Sequence, residues 1–138
     1  MGSNRRKRMA GRYARRAKIS GEEGVTISFG FSSFRVAIIA GVLEDLPYVG
    51  IVFALAFFHF HRTVLVTDRH AYVYRDLPFH QPGARLGEYP HGADTVTRLR
   101  GKLTFSDGQV VWHSPLFAWR VTQVAEAIQA GGGAAVSA

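Results

Sequence analysis

The chain predicts an α+β fold: a small antiparallel β-barrel or roll with a C-terminal capping helix, preceded by an apolar helical hairpin or membrane segment. Three observations carry this expectation. From Thr63 onward six short β-type runs, separated by turn residues, fall within about fifty residues. After His113 the apolar spacing changes from two to three and four. Before them, "VAIIAGVLEDLPYVGIVFALAFF", residues 36 to 58, is apolar almost throughout, with Glu44 and Asp45 near its middle.

At 138 residues, one fold plus a tail or anchor is the expectation. Cysteine is absent, which excludes disulfide frameworks, thiolate zinc sites and cysteine nucleophiles together. The net charge of +7 is unevenly placed. Eight of the 17 Lys and Arg lie in residues 1–18: Arg5, Arg6, Lys7, Arg8, Arg12, Arg15, Arg16 and Lys18. The remaining 9 bases face 10 acids, so the body is nearly neutral. Residues 1–24 therefore read as a basic disordered tail, whose eight bases would contact an anionic surface, on lipid or nucleic acid, through charge. The polar "KISGEEG" after the basic start leaves no room for a signal-peptide apolar core, and the tail is expected to stay on the mature protein.

Residues 25–60 read as an apolar membrane-associated or hairpin segment, within which "VTISFGFSSF" fits either a strand or the approach to a membrane surface. Thirteen Val, Ile, Leu and Phe residues lie between Val36 and Phe58. On an insertion scale they favour a span by roughly 4 to 8 kcal/mol, while two central acids oppose it by about 2.5 to 3.5 kcal/mol each. A straight span therefore comes out near break-even before Pro47 is counted. Folding at "EDLP" places the acids and the proline in a turn and leaves arms from Phe34 to Leu43 and from Val49 to Phe60. Each arm is only about 15–18 Å long against a core of ~30 Å, too short for two full crossings. A re-entrant or interfacial hairpin then puts Arg35 and the basic tail on the same side as His59, His61 and Arg62. A soluble core hairpin is the alternative.

Residues 61–130 supply the β domain, with runs "TVLVT", "AYVYR", "ARLGEY", "TVTRLR", "KLTF" and "QVVWH". Asp68-Arg69 and Ser106-Asp107-Gly108 mark hairpin turns. Leu103 with Phe105, and Val110 with Trp112, share faces of their strands. "DLPFHQPGA" and "PHGAD" read as loops. In "SPLFAWRVTQVAEAIQAGGG", Ser114 is the expected N-cap, Pro115 the first helical residue and Gly131 the stop. Leu116, Trp119, Val121, Val124, Ala125 and Ile128 form its apolar face, and Trp112 and Trp119 are expected in one core. Residues 131–138 read as a flexible tail.

No nucleophile elbow, phosphate loop, metalloprotease helix or dinucleotide fingerprint is present, so no enzyme, cofactor or metal is expected. Glu44-Asp45 are adjacent and do not face one another on a helix. His59 and His61 would share a strand face but have no third ligand fixed by spacing, while His70, His80, His91 and His113 are scattered. Arg98 and Arg100 alternate on a solvated strand face, with no aromatic nucleic-acid motif beside them.

"VLVTDRHAYVYR" resembles the first hairpin of bacterial pleckstrin-homology-like domains, a strand, Thr-Asp-Arg, then an aromatic-rich strand. "GKLTFSDGQVVWHS" and "PLFAWRVTQVAEAI" resemble the end of that fold, so the similarity spans roughly Arg62 to Ala130. The resemblance implies a curved antiparallel sheet capped by a C-terminal helix, in domains frequently attached to membrane segments. It transfers no ligand residues. The expected function is a non-enzymatic binding or scaffolding module on the cytoplasmic face of a membrane. Its expected partners are an anionic lipid surface and a protein or lipid. Nucleic acid held by the basic tail is the alternative partner, and a small enzyme or metal-binding protein is a further one.

Overall fold

A computed structural model describes residues 2–43, 48–49, 51–52, 60–77, 81–92, 95–99, 101–113 and 118–130. Among the described residues, helices α1 (Gly2–Arg16), α2 (Phe34–Leu43) and α3 (Ala118–Gln129), with further helical residues at 48–49 and 51–52, accompany seven strands. The strands are β1 (Gly24–Phe31), β2 (His61–Thr67), β3 (His70–Leu77), β4 (Gln81–Pro90), β5 (Val96–Leu99), β6 (Lys102–Phe105) and β7 (Val110–Trp112). They form one antiparallel sheet in the order β4-β3-β2-β1-β7-β6-β5.

The sheet does not close into the expected barrel, because β4 and β5 remain its two edges. Side chains, not a backbone ladder, join the β4 side to the β6–β7 turn. The Tyr89 hydroxyl donates to Asp107 Oδ2 at 2.9 Å, Gln109 Nε2 donates to the Leu86 carbonyl at 3.3 Å, and Tyr89 stacks on Phe105 with centroids 4.5 Å apart.

Both expected hairpins form, for local reasons. In the β2–β3 turn Thr67 Oγ1 accepts from the Arg69 and His70 amides at 3.3 and 3.0 Å. In the β6–β7 turn Gly108 takes a φ of 91°, the left-handed region that costs glycine little, and Asp107 Oδ1 accepts from the Gln109 amide. The loop expected over "DLPFHQPGA" is shorter than its composition suggests, since β3 runs to Leu77 and β4 begins at Gln81.

One face of the sheet carries Val64, Val66, Ala71, Val73, Tyr89, Val96, Leu103, Phe105 and Val111, packed against Val121, Val124, Ala125, Ala127 and Ile128 of α3. Each fully buried aliphatic chain here contributes about 1.5–3 kcal/mol by leaving water. Ser114 and Pro115, the expected start of this helix, lie outside the described residues, as do the fold-back at residues 44–47, the 131–138 tail and the Trp119 side chain. Trp112 does not join the α3 core. It packs on the opposite face with Phe31, Val36, Ala37 and Phe60.

The N-terminal region differs most from expectation. Residues expected to be a disordered tail form α1, whose Ala10, Tyr13 and Ala14 pack on Ile27, Leu65, Tyr72 and Tyr74. The charge density hides a stripe of Met9, Ala10, Tyr13, Ala14 and Ala17, and that stripe is what docks. Gly24 permits the approach: a Cβ there would stand 2.6 Å from the Ala10 carbonyl carbon and the Gly11 nitrogen. The helix ends in a Schellman motif, with Ile19 N donating to the Ala14 carbonyl, Lys18 N to the Arg15 carbonyl, and Lys18 at φ 61°. Arg15 and Arg16 in the last turn suit the helix dipole.

The stretch starting at residue 25 is not part of an apolar membrane unit at its outset. β1 is the central strand, paired with β2 along its length and with β7 at Phe31 and Trp112. The β domain therefore begins at Gly24, ahead of the boundary expected at residue 61.

Candidate anionic-surface site

Helix geometry sorts the eight bases. At about 100° per residue, the docked stripe of Ala10, Tyr13, Ala14 and Ala17 leaves Arg5, Arg8, Arg12, Arg15 and Arg16 together on the far side, all exposed. Lys7 lies on the flank and is exposed, and exposed Lys18 sits just past the helix end. Arg6 turns the other way: it is half-buried, and its Nη1 donates to the Ile27 carbonyl at 2.9 Å. The tail is thus a fixed cationic ridge of five arginines and not a mobile cloud of eight charges.

Beside it stands an apolar helix. In α2, Val36 and Ala37 are buried, while Phe34, Ile38 and Ile39 are 50%, 41% and 45% exposed on the other side, with Arg35 among them. A surface helix of a globular domain ordinarily shows mainly polar residues there, whereas this side is apolar apart from Arg35. Tyr48, Val49, Ile51 and Val52, also helical, are exposed as well. Among the described residues no helix is long and apolar enough to cross a membrane.

β1 fixes how the two helices relate. From Thr26 to Phe31 its register on β2 is unbroken, so Ile27, Phe29 and Phe31 project to one face. Ile27 and Phe29 pack with α1, and Phe31 packs with Val36 and Ala37 of α2. Both helices therefore cover the same face of the sheet, anchored on residues roughly 14 Å apart. The row continues across β7, β6 and β5, since Phe31 opposes Trp112, Trp112 opposes Lys102 and Lys102 opposes Leu99. Lys102 Nζ lies 5.2 Å from the Trp112 ring centroid, and Leu99 is 65% exposed.

A polar cluster missed by the sequence reading ties the connection between α1 and β1 to β2 and β3. Glu22 Oε1 accepts from Thr67 Oγ1 at 2.8 Å and sits 2.9 Å from His70 Nδ1, and Glu22 Oε2 accepts from the Tyr72 hydroxyl at 2.5 Å. Burial alone would raise the Glu22 carboxyl, but hydrogen bonds with Tyr72, His70 and Thr67 outweigh it and hold the group below the ordinary value. Tyr72 is pushed up, first by burial and then by its bond to Glu22. Arg85 lies 4.8 Å from the Tyr72 ring centroid, and its Nε donates to the Tyr74 hydroxyl at 3.1 Å. Only Glu22 and the turn-flanking His70 hinted at this cluster in sequence, 48 residues apart.

The other singled-out residues do not converge. His91 Nε2 lies 2.8 Å from the Thr67 carbonyl, His113 Nε2 lies 3.0 Å from Ser28 Oγ, and the His61 ring meets Phe31 edge-on. His59, His80 and Arg100 lie outside the described residues, while Arg98 is exposed on the edge strand β5. Among the described residues no three His, Asp or Glu side chains group to hold a metal. Comparison with protein-family models, curated proteins and solved structures finds no match for this chain.

Proposed function

We propose that this protein is a non-enzymatic binding or scaffolding module that docks on an anionic lipid surface through its α1–α2 layer. The observation that carries the reading is the shared face of Ile27 and Phe31, which sets a cationic ridge beside exposed Phe34, Ile38 and Ile39. Arginines meet lipid phosphates while the apolar side chains enter the headgroup boundary, the division of labour of interfacial amphipathic helices. Anionic lipid is concentrated on the cytoplasmic leaflet, so docking assigns the domain to that side. The antiparallel sheet with its C-terminal helix is consistent with a pleckstrin-homology-like domain, which would present the rest of its surface to a protein or lipid partner.

The same ridge could track nucleic-acid phosphates, but a duplex backbone gives no use to the adjacent apolar patch. The test is flotation of the full chain with anionic vesicles across salt, beside a variant with Arg5, Arg8, Arg12 and Arg16 changed to Gln. Each base near such a surface contributes about 1 kcal/mol, so at least a tenfold loss of affinity is expected. Unchanged binding of the variant, or transfer of the protein from vesicles to added duplex DNA, would overturn the reading.

A further inference from the structure

Between α1 and the returning chain at residues 19–24 lies an open cavity of about 270 Å3, lined by Lys7, Gly11, Ala14, Arg15, Ile19, Glu22, Glu23 and Gly24. Lys7, Gly11 and Arg15 are spaced four apart and lie along one stripe of α1. Gly11 keeps the stripe open at its middle. A Cβ built there meets nothing within 4 Å, so no steric demand places glycine at a position where it costs the helix about 1 kcal/mol relative to alanine. The opposite wall carries Glu22, whose carboxylate is held on the sheet, and exposed Glu23, whose backbone is pinned. Glu22 is held by Thr67, His70 and Tyr72, and the Glu23 amide donates to Asp68 Oδ1 at 2.9 Å.

Two cations thus face two anions across a gap. Among the described residues the ion pair within 4.0 Å is His70 with Glu22, and Lys7 and Arg15 are paired with neither glutamate. A simple anion entering the gap is repelled by Glu23, and a simple cation by Lys7 and Arg15. A ligand carrying both charges satisfies both walls. The volume lies below the roughly 300–1,000 Å3 of drug-sized pockets, which restricts the ligand to a small polar group. Two bases on one wall, one of them an arginine suited to bidentate contact, favour phosphate over carboxylate as the anionic end.

We infer that this cavity binds a small phosphate-bearing zwitterion of the phosphoethanolamine type, with phosphate at Lys7 and Arg15 and the ammonium at Glu23. The shared chemistry is that of free phosphoethanolamine and of the phosphatidylethanolamine headgroup. The site shares Arg15 with the cationic ridge, but the charge variant that tests docking leaves Arg15 in place, so the two readings fail separately.

The experiment titrates the full chain calorimetrically with phosphoethanolamine, inorganic phosphate and ethanolamine, and floats it with phosphatidylcholine vesicles with and without phosphatidylethanolamine. Phosphoethanolamine is expected to bind at least tenfold more tightly than either half alone. Gly11→Leu fills the gap, keeps every charge and raises helix propensity, so it should weaken phosphoethanolamine at least tenfold while leaving anionic-vesicle binding intact. Glu23→Gln should bring phosphoethanolamine down to the affinity of phosphate. Recruitment by phosphatidylethanolamine identifies the lipid as the source, and binding of the soluble zwitterion alone identifies the free compound; either supports the site. Equal binding of phosphate and phosphoethanolamine, no binding at millimolar probe, or an unaffected Gly11→Leu variant would overturn it.

Discussion

The Tyr13 hydroxyl donates to Asp76 Oδ1 at 3.2 Å, joining α1 to the end of β3 across 63 residues of chain. Asp76 is 1% exposed, so the bond satisfies a buried carboxylate, and Tyr13 also meets Tyr74 edge-on with centroids 5.8 Å apart. The N-terminal helix is by this relationship an integral layer of the domain. Tyr13→Phe keeps the ring packing and removes one donor, with an expected loss of about 1–3 kcal/mol. Urea unfolding measures it, and a midpoint equal to that of the native chain would show that the Tyr13–Asp76 bond adds nothing to stability.

Gly24→Val tests the close crossing of α1 over β1. Its side chain would start 2.6 Å from the backbone of Ala10 and Gly11, and neither atom belongs to a side chain that could swing away. Expected is a loss of about 1–3 kcal/mol. Hydrogen exchange should show protection falling in α1 while β2 and β3 keep theirs; full protection of α1 in the variant would contradict the crossing.

Acid should loosen the connection between α1 and β1 through Glu22. Its folded value is lowered from the ordinary 4.5, so the carboxylate contributes stability that is fully present above about pH 4.5 and is lost as pH falls through the lower folded value. The comparison is native protein against Glu22→Gln from pH 7 to pH 3. The native advantage should be constant near neutrality and shrink in acid. An advantage that grows on acidification would reverse the assigned sign.

Ile38→Glu combined with Ile39→Glu separates the apolar contribution from charge. Both side chains are more than 40% exposed, so the thermal midpoint should shift by no more than that of an ordinary surface substitution, within about 0.5 kcal/mol. Affinity for anionic vesicles should fall at least tenfold. Retained affinity would assign docking to the arginine ridge alone.

Local chemistry made the β region legible from sequence. Thr67-Asp68-Arg69 and Ser106-Asp107-Gly108 carry their turn chemistry within a few residues, β-branched and aromatic runs marked β2 and β3, alternation marked β6 and β7, and three- and four-residue spacing marked Val121, Val124, Ala125 and Ile128 of α3. The first apolar arm, Phe34 to Leu43, coincides with α2 because a continuous apolar run bounded by Ser33 and the acids at 44 and 45 has few other ways to pair its backbone. The bases of the candidate site were legible as charge. Their arrangement was not, because the stripe that docks α1 is mostly alanine, whose small area gives no signal until Gly24 and the face of Ile27, Leu65 and Tyr72 stand opposite it. β1 was equally ambiguous in sequence, since its pairing with β7 joins Phe31 to Trp112, 81 residues on. Sequence by itself determined β2, β3, β6 and β7, the two turns between them, α2 and the body of α3, which follow from neighbouring residues. Only the tertiary structure decided that the sheet stays open, that Arg6 turns inward, and that α1 and α2 share a face, because those outcomes depend on contacts between segments far apart in the chain.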